Sequence, residues 1–264
     1  MSVELNYRIT GEGAPLIVLH GLFGSLDNLG GITRRLEDSW QIHALDLRNH
    51  GSSPHTEDMS YPAMADDVVA YMDAQGISKA SLLGHSMGGK VAMQVALSYP
   101  ERVSAVIAAD IAPVAYEPRH DSILEGLNSL ELARVTSRGD ADKRLAEHVD
   151  TPGVRQFLLK NLERVPKDQQ ADGQPLFRWR LNLPVIDTCY ANIAAAPEGK
   201  GPFEGPVLFI KGGDSPYIQQ QHQQTIRSLF PAAEVKILEG TGHWLHAEKP
   251  DTFAALCRRF LPGR

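Results

Sequence analysis

Short, unbroken apolar runs alternate along most of this chain with stretches in which apolar residues recur every three or four positions. Runs such as Pro15–Leu19 and Pro206–Ile210 are typical of strands that are buried on both faces of a parallel sheet. Met64, Val68 and Met72 show the other spacing and predict an amphipathic helix. The strand pattern occurs in residues 3–9, 15–19, 41–47, 79–83, 102–109, 206–210 and 234–238. The chain therefore predicts an α/β fold in which helices cover both faces of an open, mostly parallel sheet.

This alternation is interrupted once, in the middle of the chain. The intervening residues show helical patterns over 120–135 and 152–162 but no strong buried strand, and proline and glycine residues punctuate the return to the strand pattern. We therefore predict a core formed by residues 1–113 and 206–264, with residues 114–205 inserted as a mostly helical segment.

A serine lies between two glycines at the end of one predicted strand. The stretch Gly84–Gly88 follows the strand of residues 79–83, and a helical pattern leaves it at Met87 and continues to about Tyr99. This is the pattern of a nucleophile elbow, a turn so tight that a side chain at either glycine would clash. The N–H groups at the helix start also favour developing negative charge. Ser86 is therefore the candidate nucleophile.

Composition narrows the classes of function. The 264 residues carry a formal net charge of −6, which argues against nucleic acid or anionic membrane surfaces as main partners. Cys189 and Cys257 show no metal-ligand or redox spacing, and no nucleotide-binding or metalloprotease motif is present, so we expect no cofactor and no metal. No signal-peptide pattern and no apolar run of membrane-spanning length occurs, which favours a cytoplasmic protein.

Six stretches together resemble the α/β-hydrolase superfamily and, within it, the YbfF-type bacterial esterases. They are, in chain order, His20–Gly30, Asp46–Gly51, Gly84–Lys90, Asp110–Val114, Gly212–Tyr217 and Gly242–Pro250. The resemblance covers essentially the whole chain. It implies an α/β-hydrolase fold with an eight-stranded, mostly parallel sheet, in which residues 114–205 form a helical cap inserted after strand six. We also expect a small-molecule ester or thioester as substrate, and a monomer or a small homo-oligomer.

A serine hydroxyl needs a base to accept its proton, and that base needs a carboxylate to orient it. His243 is the candidate base, because it lies in a glycine-rich loop after the last predicted strand, where the superfamily's order of serine, acid and histidine places it. Two aspartates remain candidates for the acid. Asp110 ends a buried strand, at a position that the YbfF-type resemblance implies, whereas Asp214 follows a later strand at which the usual spacing would select Ser215. We favour Asp110 and expect Ser215 to be a hydrogen-bonding helper.

An oxyanion hole requires two backbone N–H groups aimed at the reacting oxygen. Met87, the residue after the nucleophile, supplies one. The resemblance implies that Leu22 supplies the other, with Phe23 as the alternative. The predicted substrate pocket contains Phe23, His85, Trp179, Arg180 and Trp244. The aromatic and cationic side chains of residues 177–180 could hold an anionic tail such as that of an acyl-CoA.

These residues predict a serine hydrolase of the carboxylesterase type, which cleaves small carboxylic esters through an acyl-serine intermediate. An acyl-CoA thioesterase that uses the same three side chains is the alternative. A non-catalytic α/β-hydrolase protein that only binds a ligand is a third interpretation, because a fold alone does not decide function. The complete set of serine, histidine and acid argues against that third interpretation.

Overall fold

Nine strands are present in the part of the chain that the structure, a computed structural model, describes, which is residues 2–171 and 173–262. They are β1 (Tyr7–Thr10), β2 (Ala14–Leu19), β3 (Trp40–Leu45), β4 (Ala80–His85), β5 (Val103–Ala109), β6 (Leu162–Arg164), β7 (Phe177–Trp179), β8 (Val207–Gly212) and β9 (Ala233–Leu238). Seven of them form the main sheet in the order β1-β3-β2-β4-β5-β8-β9. All neighbours in this sheet are parallel except β1 and β3.

The described residues contain eleven α-helices, and those outside the segment between β5 and β8 cover both faces of the main sheet. The eleven are α1 (Gly30–Leu36), α2 (Tyr61–Ala74), α3 (Met87–Ser98), α4 (Asp121–Ser129), α5 (Arg138–Leu145), α6 (Pro152–Leu158), α7 (Leu183–Thr188), α8 (Tyr190–Ala194), α9 (Gln223–Leu229), α10 (Leu245–Glu248) and α11 (Pro250–Phe260). Strand β2 shows why the sheet needs both layers. Leu16 and Val18 pack into a cluster with α1 and α11, whereas Ile17 and Leu19 pack into a larger cluster with α2 and α3. Successive side chains of a strand point to opposite faces, so an unbroken apolar run requires helices on both sides.

The predicted α/β architecture with a mostly parallel sheet is confirmed. The main sheet has seven strands rather than eight, and these seven are the segments that the apolar pattern identified. The eighth strand came from the resemblance alone. Residues 2–6 form no strand. Two of their backbone N–H groups donate to side chains instead of to a neighbouring strand: Val3 N–H donates to Asp67, and Asn6 N–H donates to Ser53 Oγ. The insertion therefore follows the fifth strand of the chain, not the sixth.

The segment between β5 and β8 contains α4 to α8 and one strand pair. The helix predicted over 120–135 is shorter than expected, because α4 ends at Ser129 and a 3₁₀ turn follows at Leu132–Arg134. The inserted segment was predicted to be mostly helical, but it also contains a short strand pair, since Phe177–Trp179 forms β7 and pairs antiparallel with β6. Three-residue strands are too short to leave a periodic signal in a sequence. None of the helices in the described residues could cross a membrane by length and apolarity.

Candidate active site

Ser86 lies at the sharp turn between β4, which ends at His85, and α3, which begins at Met87. Its backbone has φ 53° and ψ −120°, a conformation that residues with a side chain rarely adopt. The two flanking glycines make this turn possible. A Cβ at Gly84 would lie 2.1 Å from the carbonyl oxygen of Gly88, and a Cβ at Gly88 would lie 2.4 Å from the carbonyl oxygen of Leu19. The sequence pattern of the elbow is thus explained by backbone contacts on both sides of the serine.

A histidine and an aspartate complete a hydrogen-bonded chain that starts at Ser86. His243 Nε2 lies 3.0 Å from Ser86 Oγ, and His243 Nδ1 lies 2.8 Å from Asp110 Oδ2. A carboxylate only accepts, so Nδ1 carries the proton and the lone pair of Nε2 faces the serine hydroxyl. His243 comes from the loop after β9 and Asp110 from the carboxyl end of β5. The arrangement can remove a proton from Ser86 and stabilise the imidazolium that results.

Asp110 is held by more than His243. It is fully buried, its Oδ1 accepts the backbone N–H of Gly212 at 2.9 Å, and its Oδ2 accepts a short hydrogen bond from the hydroxyl of Ser215. The side chain of Asp214, in contrast, is exposed, and its backbone N–H donates to Thr241. Of the two aspartates that the sequence left open, the structure brings Asp110 to the histidine, with Ser215 as its neighbour.

His85 is one of three imidazoles that pack together beneath the site. Its Nε2–H donates to the carbonyl oxygen of His243 at 2.8 Å, and its ring lies 4.7 Å from the His243 ring and 4.4 Å from the His246 ring, between centroids. Burial lowers the pKa of His85 well below its usual value and that of His246 to about 4. Both rings are therefore neutral at pH 7. His246 Nδ1 is buried without a hydrogen-bond partner in the described residues.

Leu22 and Met87, the two residues predicted to supply the oxyanion hole, both line a cavity at Ser86. Met87 is the first residue of α3, and the N–H of a first helical residue has no partner within its own helix. Leu22 lies in the loop after β2 and lines the cavities at Ser86. The N–H of Phe23, the predicted alternative, donates to His50 Nε2 at 3.2 Å and is engaged in that bond. The geometry therefore favours Leu22 over Phe23.

Ser86 lines a cleft of about 590 Å³ and also a second cavity of about 40 Å³. Phe23, His85 and Trp244, three of the residues predicted for the substrate pocket, line the cleft. Trp179 and Arg180 line neither cavity, which contradicts the prediction for them. Trp179 pairs with β6, and Arg180 turns away to donate to Ser52 Oγ at 3.1 Å. The directions of the Trp179 and Arg180 side chains depend on how the inserted segment folds, and the sequence around these two residues does not show that fold.

Several residues at the site were not found by sequence reasoning. Arg119, His120 and Tyr217 line both cavities, and the ring of Tyr217 stacks on His243 with centroids 4.1 Å apart. Lys90 is buried, its Nζ donates to the carbonyl oxygens of Ala194 and Ala195, and burial lowers its pKa to about 7. A lysine in the apolar run that follows the elbow was the one available signal for this group, since buried lysines need partners.

No group of three or more histidine, cysteine, aspartate or glutamate side chains within residues 2–171 and 173–262 is arranged to hold a metal ion. Cys257 is buried and Cys189 half-buried, both as free thiols.

Comparison with known proteins identifies the class to which this fold and site belong. The family model described as alpha/beta hydrolase fold matches residues 14–250. The chain belongs to this family, and the predicted resemblance to it is confirmed.

Named relatives cover nearly the whole chain. Esterase YbfF of Escherichia coli K12 is 41% identical over 251 residues, which are 95% of this chain and 94% of that protein. The sn-1-specific diacylglycerol lipase ABHD11 of Xenopus laevis is 41% identical over 267 residues, covering 97% of this chain and 83% of the lipase. Among solved structures, a marine microorganism esterase superposes with a TM-score of 0.93 at 38% identity, over 98% of this chain and 100% of the esterase.

Proposed function

We propose that this protein is a serine hydrolase that cleaves small carboxylic esters through an acyl-serine intermediate. The observation that carries the proposal is the hydrogen-bonded chain from Ser86 through His243 to the buried Asp110. The esterase and lipase relatives support the same reaction class. A protein that only binds a ligand would have no need of a strained serine aligned with a base.

The reaction begins when Ser86 Oγ attacks the ester carbonyl carbon and its proton moves to His243 Nε2. The negative charge on the carbonyl oxygen is held by the N–H groups of Leu22 and Met87. Collapse of this intermediate breaks the bond to the alcohol oxygen, which leaves with the proton from His243. Water then attacks the acyl-serine by the same route and releases the carboxylic acid, while Asp110 keeps the imidazole oriented throughout.

A thioester substrate is the second candidate, because two cationic side chains lie at the cleft. Arg119 and Lys160 line it and are exposed at its mouth, where they could meet an anionic leaving group such as that of an acyl-CoA. We further propose that residues 114–205 form the cap over this cleft. A cytoplasmic location and the state of oligomerisation stay predictions from the sequence.

Covalent labelling tests the proposal directly. A fluorophosphonate probe, which reacts with activated serines, should label the native protein and Ser215→Ala but not Ser86→Ala. In an ester assay Ser86→Ala and His243→Ala should each lose about 10⁶-fold in kcat, because the three groups act as one unit. Retention of near-full esterase activity in either folded variant would contradict the mechanism.

A further inference from the structure

Two cavities of very different size meet at the Ser86 hydroxyl. The cleft has a volume of about 590 Å³ and the other, which we call the small cavity, about 40 Å³. They share Leu22, Ser86, Arg119, His120 and Tyr217. An ester bound at Ser86 must direct its acyl group and its alcohol group away from the same carbonyl carbon. The two cavities therefore offer one compartment for each half of the substrate.

The position of His243 decides which half goes where. The alcohol oxygen must receive its proton from His243 Nε2 as the ester bond breaks, so the alcohol group lies on the side of that ring. His243 lines the cleft and is absent from the lining of the small cavity. The small cavity is instead bounded by Met87, Ile111 and Ile193, on the side of the elbow helix. The leaving group thus faces the cleft and the acyl group faces the small cavity.

The walls of the small cavity are fixed by hydrogen bonds between the core and the inserted segment. Lys90 Nζ donates to the carbonyl oxygens of Ala194 at 3.0 Å and Ala195 at 2.5 Å. The hydroxyl of Tyr61 donates to the carbonyl oxygen of Ile193 at 2.6 Å. These donors and acceptors are buried or half-buried, and breaking such bonds leaves polar groups unpaired. Widening the cavity to admit a long acyl chain would therefore cost free energy.

The cleft differs in both size and chemistry. Its walls include Phe23, Ile123, Val154 and Phe157, and the Phe157 ring packs against that of Trp244 with centroids 5.9 Å apart. Apolar side chains of this kind stabilise a bound alkyl or aryl group by removing its surface from water. The large, apolar compartment thus lies on the side of the departing alcohol.

We propose that this enzyme selects esters whose acyl group is short and whose alcohol group is larger and apolar. The inference rests on the proposed ester hydrolysis and adds the direction in which the substrate binds. At roughly 15 Å³ for each water-sized group, the small cavity accommodates an acyl chain of about two to four carbons. Longer acyl chains would have to displace the bonded walls or reverse the substrate relative to His243.

Two isomeric esters test this direction without changing composition. Octyl acetate has a short acyl group and a long alcohol, and methyl nonanoate has the reverse, so overall hydrophobicity is matched. We expect kcat/KM for octyl acetate to exceed that for methyl nonanoate by at least about 30-fold, within the range by which pockets discriminate a few methylenes.

A matched pair of variants locates the selectivity. Ile193→Ala enlarges the small cavity, and Ile123→Ala makes the same change in the cleft. With p-nitrophenol as the fixed alcohol, Ile193→Ala should raise the ratio of kcat/KM for the hexanoate to that for the acetate by about tenfold. Ile123→Ala should leave this ratio unchanged.

The outcomes separate the inference from the function on which it rests. Equal or faster hydrolysis of methyl nonanoate would overturn the inference and leave ester hydrolysis standing. An unchanged ratio in folded Ile193→Ala would also overturn it. If neither isomer is cleaved and the fluorophosphonate fails to label Ser86, the proposed function is refuted and the inference with it.

Discussion

Replacement of Asp110 by asparagine should disable the site through a single misplaced proton. The backbone N–H of Gly212 donates to Oδ1 of Asp110, whereas His243 Nδ1 and the Ser215 hydroxyl share Oδ2. An asparagine would keep its oxygen at the Gly212 N–H, because an amide NH₂ there would face another donor. Its NH₂ group would then face His243 Nδ1. That nitrogen would become an acceptor, so the ring proton would move to Nε2, toward Ser86.

The expected loss follows from this change of tautomer. A protonated Nε2 cannot accept the proton of Ser86, and the negative charge that stabilises the imidazolium is also gone. In serine hydrolases of this geometry the same change lowers kcat by about 10⁴, which corresponds to ~5 kcal/mol. We expect a loss of about 10³ to 10⁴ for Asp110→Asn, with KM little changed, because the carboxylate is fully buried behind the histidine.

Steady-state hydrolysis of p-nitrophenyl acetate measures the effect, and Asp214→Asn is the matched control. Asp214 is exposed and lies two residues after Gly212, whose N–H donates to Asp110, so its replacement should cost about tenfold or less in kcat. Both variants should first be shown to unfold at urea concentrations near that of the native protein. If folded Asp214→Asn loses more activity than folded Asp110→Asn, the assignment of the acid is refuted while Ser86 and His243 keep their proposed roles.

Two further predictions concern stability. Gly88→Ala should lower the free energy of unfolding in urea by about 3 kcal/mol, because its Cβ would lie 2.4 Å from the Leu19 carbonyl oxygen, whereas the open helical site Gly153 should tolerate alanine. Burial lowers the pKa of His246 to about 4, so the unfolded chain binds the proton more readily as pH falls. Between pH 7 and pH 5 this should reduce the free energy of unfolding by about 2 kcal/mol, and His246→Gln should remove that part of the pH dependence.

The central strands of the main sheet, β2 to β5 and β8, were predictable because they are buried on both faces. An apolar run such as Leu16–Leu19 has no polar position that water could reach, and this leaves a strong local signal. The edge strand β1 and the pair β6–β7 leave weaker signals, since Tyr7 and Ile9 are partly exposed and the pair is only three residues long on each strand. The number of strands and the path of the inserted segment depend on tertiary contacts, and the apolar pattern of the sequence therefore did not predict them.

The sequence predicted those parts of the candidate site that are determined by residues adjacent in the chain. Ser86 is marked by glycines whose Cβ atoms would clash, and this requirement is written in five consecutive residues. Neighbouring residues do not distinguish Asp110 from Asp214 in this way, because both residues follow strands. Only the packing of the fold determines which of the two carboxylates lies next to His243. Likewise, Arg119 and Arg180 are both arginines of the insertion, and the sequence offered no means to tell which one reaches the cleft.

The sheet itself sets the distance between the nucleophile and the acid. Strands β4 and β5 are neighbours in parallel register, with His85 beside Ala109, so Ser86 and Asp110 leave the sheet at the same edge. Both have positive φ, 53° and 52°, and each such conformation costs about 1–3 kcal/mol. Ladder hydrogen bonds hold both in place, since Ser86 N–H donates to Ala109 and Asp110 N–H to Ile210. These hydrogen bonds hold the strained backbone at both residues, and both side chains meet at His243. We therefore expect a substitution that weakens the pairing of β4 with β5 to lower esterase activity under conditions in which the protein is still folded.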